Sequence, residues 1–406
     1  MIRIHDPLAL VASRISNVSQ LAYAPTGALA SSWTPGRTDD PTSQMDAMGS
    51  VGTLFSIVNR ISTKVASIPW HMHREQRGSV CDICEAENVA NVTMHPALSV
   101  WNKPNDAYTR GELVETVQQH LDLTGEGFLV VLKVAGRPVQ LWPVRPDRMK
   151  PIKLPAPRFL DGWIYTDPDG TPVRLERDEV IQLRMPNPID PYRGMGPVQT
   201  LLHQLYGLRF SAQYNSMFFR NSAQPGGVVE FPDGLTENQW KEFVIRWGEQ
   251  HRGVSNAHRV ATIERGKWIP TTYSMKDMMF PELRQVSRDE IREAFGVHKH
   301  ILGIADDVNR AASEAARVDF GTDTIQPRLD RWGQGLVNDL LPMFGAPMAR
   351  GYSFVHASPV PHNAEAEDAA RLNRATVFET YIRAGVTPAD AAMLAGIPAV
   401  TMRGVA

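Results

Sequence analysis

Four residues in the first quarter of the chain have side chains that bind transition metals. His71 and His73 are separated by one residue, and Cys81 and Cys84 follow in a C-x-x-C arrangement. Because thiolates and imidazoles are ligands that zinc prefers, the four residues form a candidate zinc site. The short polar linker between the two pairs also has the pattern of a strand with a hairpin insertion, which requires no metal. We favour the hairpin and therefore predict no metal site.

The chain lacks the common motifs for nucleotide binding and hydrolysis. G-x-x-x-x-G-K-[ST] does not occur, and the nearest stretch, Glu264–Trp268 (ERGKW), lacks the first glycine and the hydroxyl residue. Neither G-x-S-x-G nor H-E-x-x-H is present. His298–His300 (HKH) has no partner at ligand spacing and favours a helix end or loop, and His120 is expected to be a hydrogen-bonded interior histidine. We predict no catalytic residue, no cofactor and no enzyme activity.

Gly125 raises another possibility, because glycine turns can hold phosphate groups. A dinucleotide site requires a strand before the glycine and a helix after it, so that the helix N-terminus faces the phosphates. Here the order is reversed. Thr109 and Glu112 form a capping box, helical spacing continues to Gly125, and the apolar run Phe128–Val134 comes afterwards. The sequence therefore predicts that Gly125 ends a helix and that a β-hairpin follows.

Length and composition describe a globular protein of two or three domains. The chain has 406 residues, of which 43% are hydrophobic and 21% charged, with a net charge of -2. This balance excludes a broadly basic surface, so tight static binding of DNA by the whole chain is not expected. Two cysteines are too few for a disulfide framework, and the absence of a signal peptide or long apolar run favours a cytoplasmic setting without a membrane.

Apolar periodicity predicts the order of the elements. A helix is expected after Met45, with a stripe made of Val51, Leu54, Phe55, Val58, Ile61 and Val65. A β-rich stretch with a turn at Asp167–Gly170 comes later, and a helix follows Gly196. Two further helices, one capped at Thr236 and one starting at Pro281, flank a small β segment around the ERGK turn. The last predicted helices are Ile325 to Leu340, Leu372 to Ala384, and one opened at Thr387.

Seven segments, in this order and with this spacing, resemble the portal proteins of tailed bacteriophages, in particular the HK97-type family. They are Val58–Trp70, His95–Asn105, Leu123–Leu132, Leu141–Met149, Gly194–Leu201, Phe218–Pro232 and Arg292–Gly303. The resemblance covers about Met45 to Met343, and the set is more diagnostic than any one segment. The family usually has Asn at the position of Glu126 and Pro at that of His298, both of which we expect in structural turns.

The resemblance implies an α+β portal fold, assembled as a ring, with a wing, a helical stem, a small β-containing clip and a helical crown. The expected boundaries are a flexible arm at 1–44, the wing at 45–232, a stem helix at 233–253, the clip at 254–273, a second stem helix at 274–296, a return to the wing with a tunnel loop at 297–325, and the crown and tail at 326–406. Such a protein is a head-to-tail connector for DNA packaging and ejection. Another ring-forming connector or minor capsid protein is the alternative, and an enzyme with an undetected metal or carboxylate site is a second.

The resemblance also implies three groups of site residues. Residues expected to dock terminase at the clip are Arg259, Glu264, Arg265, Lys267 and Trp268. Residues expected to face the channel from the stem are Arg284, Arg288, Asp289 and Arg292. A tunnel loop is expected within Ile304–Ala315, with Asp306, Asp307, Asn309 and Arg310 near the DNA. The mixed charge of the stem helix suits a channel through which a polyanion slides, but equally suits salt bridges between subunits or a solvated face.

The implied partners follow from the same resemblance. They are further copies of the chain in a dodecamer, the terminase large subunit, the major capsid protein, a head-completion or adaptor protein, and double-stranded DNA passing without sequence specificity. The expected location is the portal vertex of the virion, after assembly in the host cytoplasm.

Overall fold

The computed structural model describes residues 39–84, 86–155, 159–220, 227–230, 236–251, 267–270, 281–303, 310–360 and 364–396. The chain divides into two compact units, Met1–Pro359 and Val360–Ala406. Across these described ranges, no helix combines the length and apolarity that a bilayer crossing requires.

The described residues alternate between helical and β segments throughout the first unit. The helices are α1 (Pro41–Ser50), α2 (Gly52–Ser67), α3 (Pro96–Asn102), α4 (Arg110–Thr124), α5 (Pro197–Arg220), α6 (Glu237–His251), α7 (Pro281–Phe295), α8 (Arg310–Asp319), α9 (Gln326–Gly335), α10 (Ala346–Ala349), α11 (Ala364–Arg383) and α12 (Pro388–Ala395). The strands are β1 (Trp70–Val80), β2 (Glu87–Val92), β3 (Glu126–Val134), β4 (Arg137–Val144), β5 (Met149–Lys153), β6 (Leu160–Thr166), β7 (Pro172–Glu176), β8 (Val180–Arg184), β9 (Gly227–Glu230), β10 (Lys267–Pro270) and β11 (Tyr352–His356).

All strand pairs among the described residues are antiparallel. Three sheets have three strands each, in the orders β11-β1-β2, β4-β3-β8 and β5-β6-β7, and β9 pairs with β10 in a two-stranded ladder. Helices pack against antiparallel sheets rather than crossing between parallel strands, so the predicted α+β class is confirmed.

The first two helices differ from the expected single helix. Asp40 caps α1 five residues before Met45, with its carboxylate accepting from the backbone N–H groups of Thr42 and Ser43. Val51 has an extended backbone and separates α1 from α2. The predicted position of Phe55 in the core is wrong, since it is 50% exposed, whereas Ile57 is fully buried. Phe55 is rotated by about 100° from Leu54 and falls beside the buried stripe.

The corner at Gly125 matches the helix-stop interpretation. Thr109 and Glu112 form the predicted capping box at the start of α4, and Gly125 ends the helix with a left-handed backbone, φ 81°. β3 and β4 then form the predicted hairpin, with Phe128 opposite Val144. Gly125 therefore follows a helix and precedes a strand, which is the reverse of the order that a phosphate-binding glycine turn requires.

The sheet β5-β6-β7 forms a small lobe with its own apolar cluster. The ring of Phe128 from β3 lies 4.8 Å from that of Trp163 in β6, in an edge-to-face arrangement. Met149, Tyr165 and Val180 are buried in the same cluster. Asp167 closes the predicted turn before β7 by accepting the N–H of Gly170 at 2.9 Å.

The main core lies between helices from both ends of the first unit. Residues 310–344 are helical throughout, with π-helical turns at Phe320–Ile325 and Leu336–Leu340. The predicted apolar stripe of this segment is buried together with α2, α4 and α5, and consists of Ile325, Leu329, Trp332, Leu336 and Leu340. The expected boundary between return segment and crown at residue 326 does not separate two cores, because this helix fills the same core as the segment predicted as wing.

The second unit contains the two predicted C-terminal helices. α11 begins at Ala364, earlier than the predicted Leu372, and Gly385 follows it with φ 87°. The hydroxyl of Thr387 accepts the N–H of Asp390 at the start of α12, and Gly396 ends that helix with a left-handed backbone.

Candidate channel and subunit-interface segments

Helix α6, the first expected stem helix, has an apolar face that the described residues leave uncovered. Trp240 and Val244 lie four residues apart on one face, and their side chains are 53% and 48% exposed. Phe243 belongs to the same face, and its ring lies 6.2 Å from that of Trp240. Exposed apolar patches on a helix mark contacts with another protein.

Other positions of α6 carry charged pairs that face solvent, although Ile245 is also 61% exposed. Lys241 pairs with Glu237 at 2.8 Å and Arg246 with Glu242 at 2.5 Å, both with i,i+4 spacing and highly exposed side chains. Pairs of this kind contribute only about 0.3–0.5 kcal/mol each, so they keep the helix formed rather than hold it to a neighbour. The helix therefore presents one apolar face and one charged face.

Helix α7, the second expected stem helix, is anchored in the core at its C-terminal end. Ile291 and Phe295 are buried in the main cluster. Among the expected channel residues, Arg288 is exposed, whereas Arg292 is mostly covered and forms an ion pair with Asp289. Arg292 therefore neutralises Asp289 within this chain. The side chain of Arg284 lies outside the described residues.

The expected clip is described only at β10. Lys267 and Trp268 occupy this strand, where they pair with Glu230 and Val229 of β9. The sequence predicted two strands around the ERGK turn, but the partner that the structure describes lies before α6. Arg259, Glu264 and Arg265 lie outside the described residues.

The stretch in which a tunnel loop is expected is partly helical. Arg310–Asp319 is helix α8, so the last six residues of the predicted stretch Ile304–Ala315 are helical. Alanine is the best helix former, and the sequence RAASEAA explains why this part joins the helix that follows. Arg310 is its first residue, and Asp306, Asp307 and Asn309 lie outside the described residues.

A buried polar network joins α4 to the long helical segment, and sequence reasoning missed it. Asp122 is fully buried and accepts from Arg328 Nε at 2.8 Å and from Gln118 Nε2 at 2.9 Å. Gln118 Oε1 in turn accepts from Trp332 Nε1 at 3.0 Å. A charged residue between Leu121 and Leu123, four residues after a glutamine, was the available signal. Its partner Arg328 could not be identified from local spacing.

Glu126, where the resembling family usually has Asn, is a buried strand residue rather than a turn residue. It begins β3, pairs with Arg184, and accepts the N–H of Gly194 at 3.1 Å on Oε2 while Arg193 forms an ion pair with Oε1. Burial raises the pKa of the Glu126 carboxyl to about 6, against the opposing effects of the Arg193 charge, the Gly194 N–H and Gln182. This interaction fixes the approach to α5.

The histidines follow the sequence predictions unevenly. His298 precedes a 3₁₀ turn at Lys299–Leu302, as expected for a helix end. The expectation that His120 is hydrogen bonded is wrong, because its buried Nδ1 has no partner among the described residues. Burial lowers the pKa of His120 to about 4, so that the ring is neutral at pH 7. His71, His73, Cys81 and Cys84, for which no metal was predicted, do come together.

The model of the phage portal protein family matches residues 53–392. The chain belongs to this family, and the identification as a portal protein is confirmed. A probable portal protein of Streptomyces phage phiC31 is 28% identical over 297 residues, which cover 69% of this chain and 62% of that relative. An uncharacterised protein of Rickettsia bellii is 21% identical over 294 residues, covering 70% of this chain and 73% of its own length. The chain thus spans less than two thirds of the phiC31 relative.

Solved structures show the same fold. A chain from the neck of a native gene transfer agent particle, computed with C12 symmetry, has a TM-score of 0.59 at 22% identity, covering 96% of this chain and 100% of that one. An HK97-family phage portal protein from Corynebacterium diphtheriae has a TM-score of 0.51 at 14% identity, covering 80% of this chain and 96% of that one. The portal fold predicted from the sequence is confirmed.

Proposed function

We propose that copies of this chain close into a ring of about twelve subunits at one capsid vertex, through which DNA enters and leaves. Family membership supports the role, and the C12 neck of the gene transfer agent particle supports the number. Within the chain, the uncovered apolar face of α6 carries the proposal. A head-to-tail contact that closes by rotation buries the same face in every subunit.

The channel is assigned to α7 and the segment before α8. α7 alternates acidic and basic residues. Among its described side chains, Arg288 is exposed and stands beside the neutralised pair Asp289 and Arg292. Few free positive charges mean few released counterions, so DNA slides instead of being held. Asp306, Asp307, Asn309 and Arg310 remain our choice for the tunnel loop.

The clip around β10 is proposed as the docking surface for terminase, followed after packaging by head-completion or adaptor proteins. Lys267 stands at the strand end nearest the ERGK turn, with Arg259, Glu264, Arg265 and Trp268 in the same proposed surface. The wing is proposed to contact the major capsid protein. The crown and tail were expected from residue 326. Because residues up to 344 fill the main core, we propose instead that the crown and tail begin at residue 360, where the second unit starts.

Negative-stain imaging and native mass measurement of the purified chain test the ring. We expect a broad ring with a narrow stem for the wild type, and loss of the ring for Trp240→Glu with Val244→Glu. Asn238→Glu is the control, because it adds a negative charge at an exposed position on the opposite, polar face of α6. If isolated chains need other capsid proteins to assemble, the same variants are compared in particles. A virion with the protein spread over the shell would favour a minor capsid protein instead.

A further inference from the structure

Four metal-binding side chains meet beside β1. His71 Nε2 lies 3.0 Å from His73 Nε2, and Cys84 Sγ lies 3.3 Å from the same atom of His73. With Cys81 included, each residue offers one ligand atom, and the four atoms lie within 4.8 Å of one another. Zinc bonds of about 2.0–2.1 Å to nitrogen and 2.3 Å to sulfur place tetrahedral ligand atoms roughly 3.3–3.8 Å apart. The observed group therefore has the size of a single-ion site.

The backbone explains how these residues meet. His71 and His73 are two residues apart on β1 and share one face of the sheet, opposite to Met72, which lies in the main core. The register between β1 and β2 shifts between Glu75 and Val80, where five residues of β1 advance against two of β2. The extra residues of β1 form a bulge. The turn that follows brings Cys81 and Cys84 back over His71 and His73.

Near this cluster the polar ligand side chains are more buried than neighbouring apolar side chains. His71, His73 and Cys81 are all less than 10% exposed, although the two histidines lie on the face of β1 opposite to Met72 and the main core. Two apolar residues close to these ligands in the chain, Val80 and Ile83, are instead 60% and 56% exposed. Hydrophobic burial would place these two groups the other way round. Burial of the ligands in place of these apolar side chains is typical of a metal site.

The contacts of the ligand atoms also suit a bound cation. The N–H of Ile83 donates to Cys81 Sγ at 3.4 Å, and such a bond stabilises a thiolate. The two Nε2 atoms at 3.0 Å can satisfy each other only if one ring donates and the other accepts. A shared cation satisfies both.

We propose that His71, His73, Cys81 and Cys84 bind one Zn²⁺ ion in a tetrahedral site. Two thiolates and two imidazoles select zinc, and four protein ligands leave no open position, so the ion is structural. Binding releases the thiol protons to solvent, and two metal–sulfur and two metal–nitrogen bonds form. The ion holds the connection between β1 and β2 against the start of β1. The same part of β1 pairs with β11.

Zinc content of the full-length protein tests the site. The protein is purified with a thiol reductant, dialysed against metal-free buffer, and measured by elemental mass spectrometry. We expect one zinc ion per chain, and a fall in zinc affinity of roughly 100-fold or more for Cys84→Ser, whose position at the exposed rim leaves folding intact. Cys84→His restores a fourth ligand and should restore zinc. His298→Gln, which removes an exposed histidine elsewhere, should retain it.

Cobalt and thiol chemistry distinguish zinc from a disulfide between Cys81 and Cys84. Co²⁺ in the site should give the visible bands of tetrahedral coordination with a thiolate-to-cobalt band in the near ultraviolet. The thiols should react after a chelator is added, and amide hydrogen exchange in β1 and β2 should accelerate. Thiols that become reactive after a reductant but not after a chelator, or zinc content that Cys84→Ser leaves unchanged, would overturn the proposal.

Discussion

Arg328 Nε donates to Asp122 Oδ1 at 2.8 Å across 206 residues of sequence, and this ion pair joins α9 to α4. The Asp122 side chain is fully buried and that of Arg328 is 11% exposed. Gln118 extends the network to Trp332, the largest buried side chain of the long helical segment. Two helices that are far apart in the sequence are therefore joined by an ion pair as well as by apolar contacts.

Asp122→Ala is expected to destabilise the protein by about 3–5 kcal/mol, because it leaves the Arg328 cation buried without its partner. Replacing both residues, as in Asp122→Leu with Arg328→Met, should restore most of the loss, since no charge remains to be desolvated. Urea unfolding followed by circular dichroism measures the difference. Asp161→Ala breaks the exposed pair with Arg174 and should cost much less, because solvent screens that pair. Equal costs for both single variants would show that the buried pair has no special role.

Glu126 predicts a fall in stability between about pH 4.5 and pH 6. Its pKa is raised to about 6 in the folded chain, so the native state keeps a proton that the unfolded chain loses first. The penalty is absent at lower pH and reaches about 2 kcal/mol at pH 7. Glu126→Gln should therefore gain about that much stability relative to the wild type between pH 4 and pH 7. The test uses only the change with pH in the stability difference between the variant and the wild type. Any cost of the substitution that does not depend on pH cancels.

The matched variant is Arg193→Gln, which removes the charge that opposes burial. The pKa of Glu126 should then rise further, and the fall in stability should move to higher pH. Thermal unfolding of both variants and the wild type at a series of pH values measures these changes in stability. Parallel pH profiles for the wild type and Glu126→Gln would contradict the raised pKa.

Gly194→Ala should destabilise the fold by about 3 kcal/mol or more, because overlap cannot be relieved by a side-chain rotation. A Cβ at this position would overlap the backbone carbonyl of Gly125, and one at Gly196 would lie 2.5 Å from the Gly125 nitrogen. Gly207→Ala is the control. It lies inside α5 with open space around it and should stabilise by about 0.5–1 kcal/mol. Soluble expression and thermal melting separate the two outcomes.

Charge reversal in the proposed clip should block packaging without affecting ring formation. Arg265→Glu with Lys267→Glu reverses two positive charges at the surface assigned to terminase, and attraction to a partner of opposite potential would become repulsion. Packaged DNA per particle and ring formation by imaging are the two readouts. Lys103→Glu with Lys150→Glu makes the same change in charge at exposed positions far from the clip in sequence. Normal packaging by the clip variant would refute the docking assignment.

Local signals predicted most of the elements and their ends. The capping box at Thr109, the helix stop at Gly125 and the turn at Asp167 depend on residues within a few positions of each other, so the sequence contains all the required information. The same holds for the core stripe from Ile325 to Leu340. The start of α1 was placed too late because Asp40 lies in a stretch that otherwise resembles the preceding arm.

Long-range relationships were beyond the reach of spacing. The Asp122–Arg328 pair, the approach of Gly194 to Gly125 and the pairing of β1 with β11 each join segments far apart in the chain. The histidines and cysteines were identified, but the polar linker between them favoured a simple hairpin. The bulge that returns Cys81 and Cys84 to His71 and His73 leaves no local pattern beyond Gly78. The resemblance to portal proteins supplied the fold where periodicity could not.

The short ladder between β9 and β10 places Glu230 directly beside Lys267. The two ends of the segment between β9 and β10 are therefore adjacent, as are the ends of an inserted segment. Residues between these strands can be lengthened, shortened or exchanged while both ends stay where they are. Under the proposed docking of terminase to this segment, a virus lineage that acquires a different packaging enzyme can change the docking segment and keep the rest of the subunit.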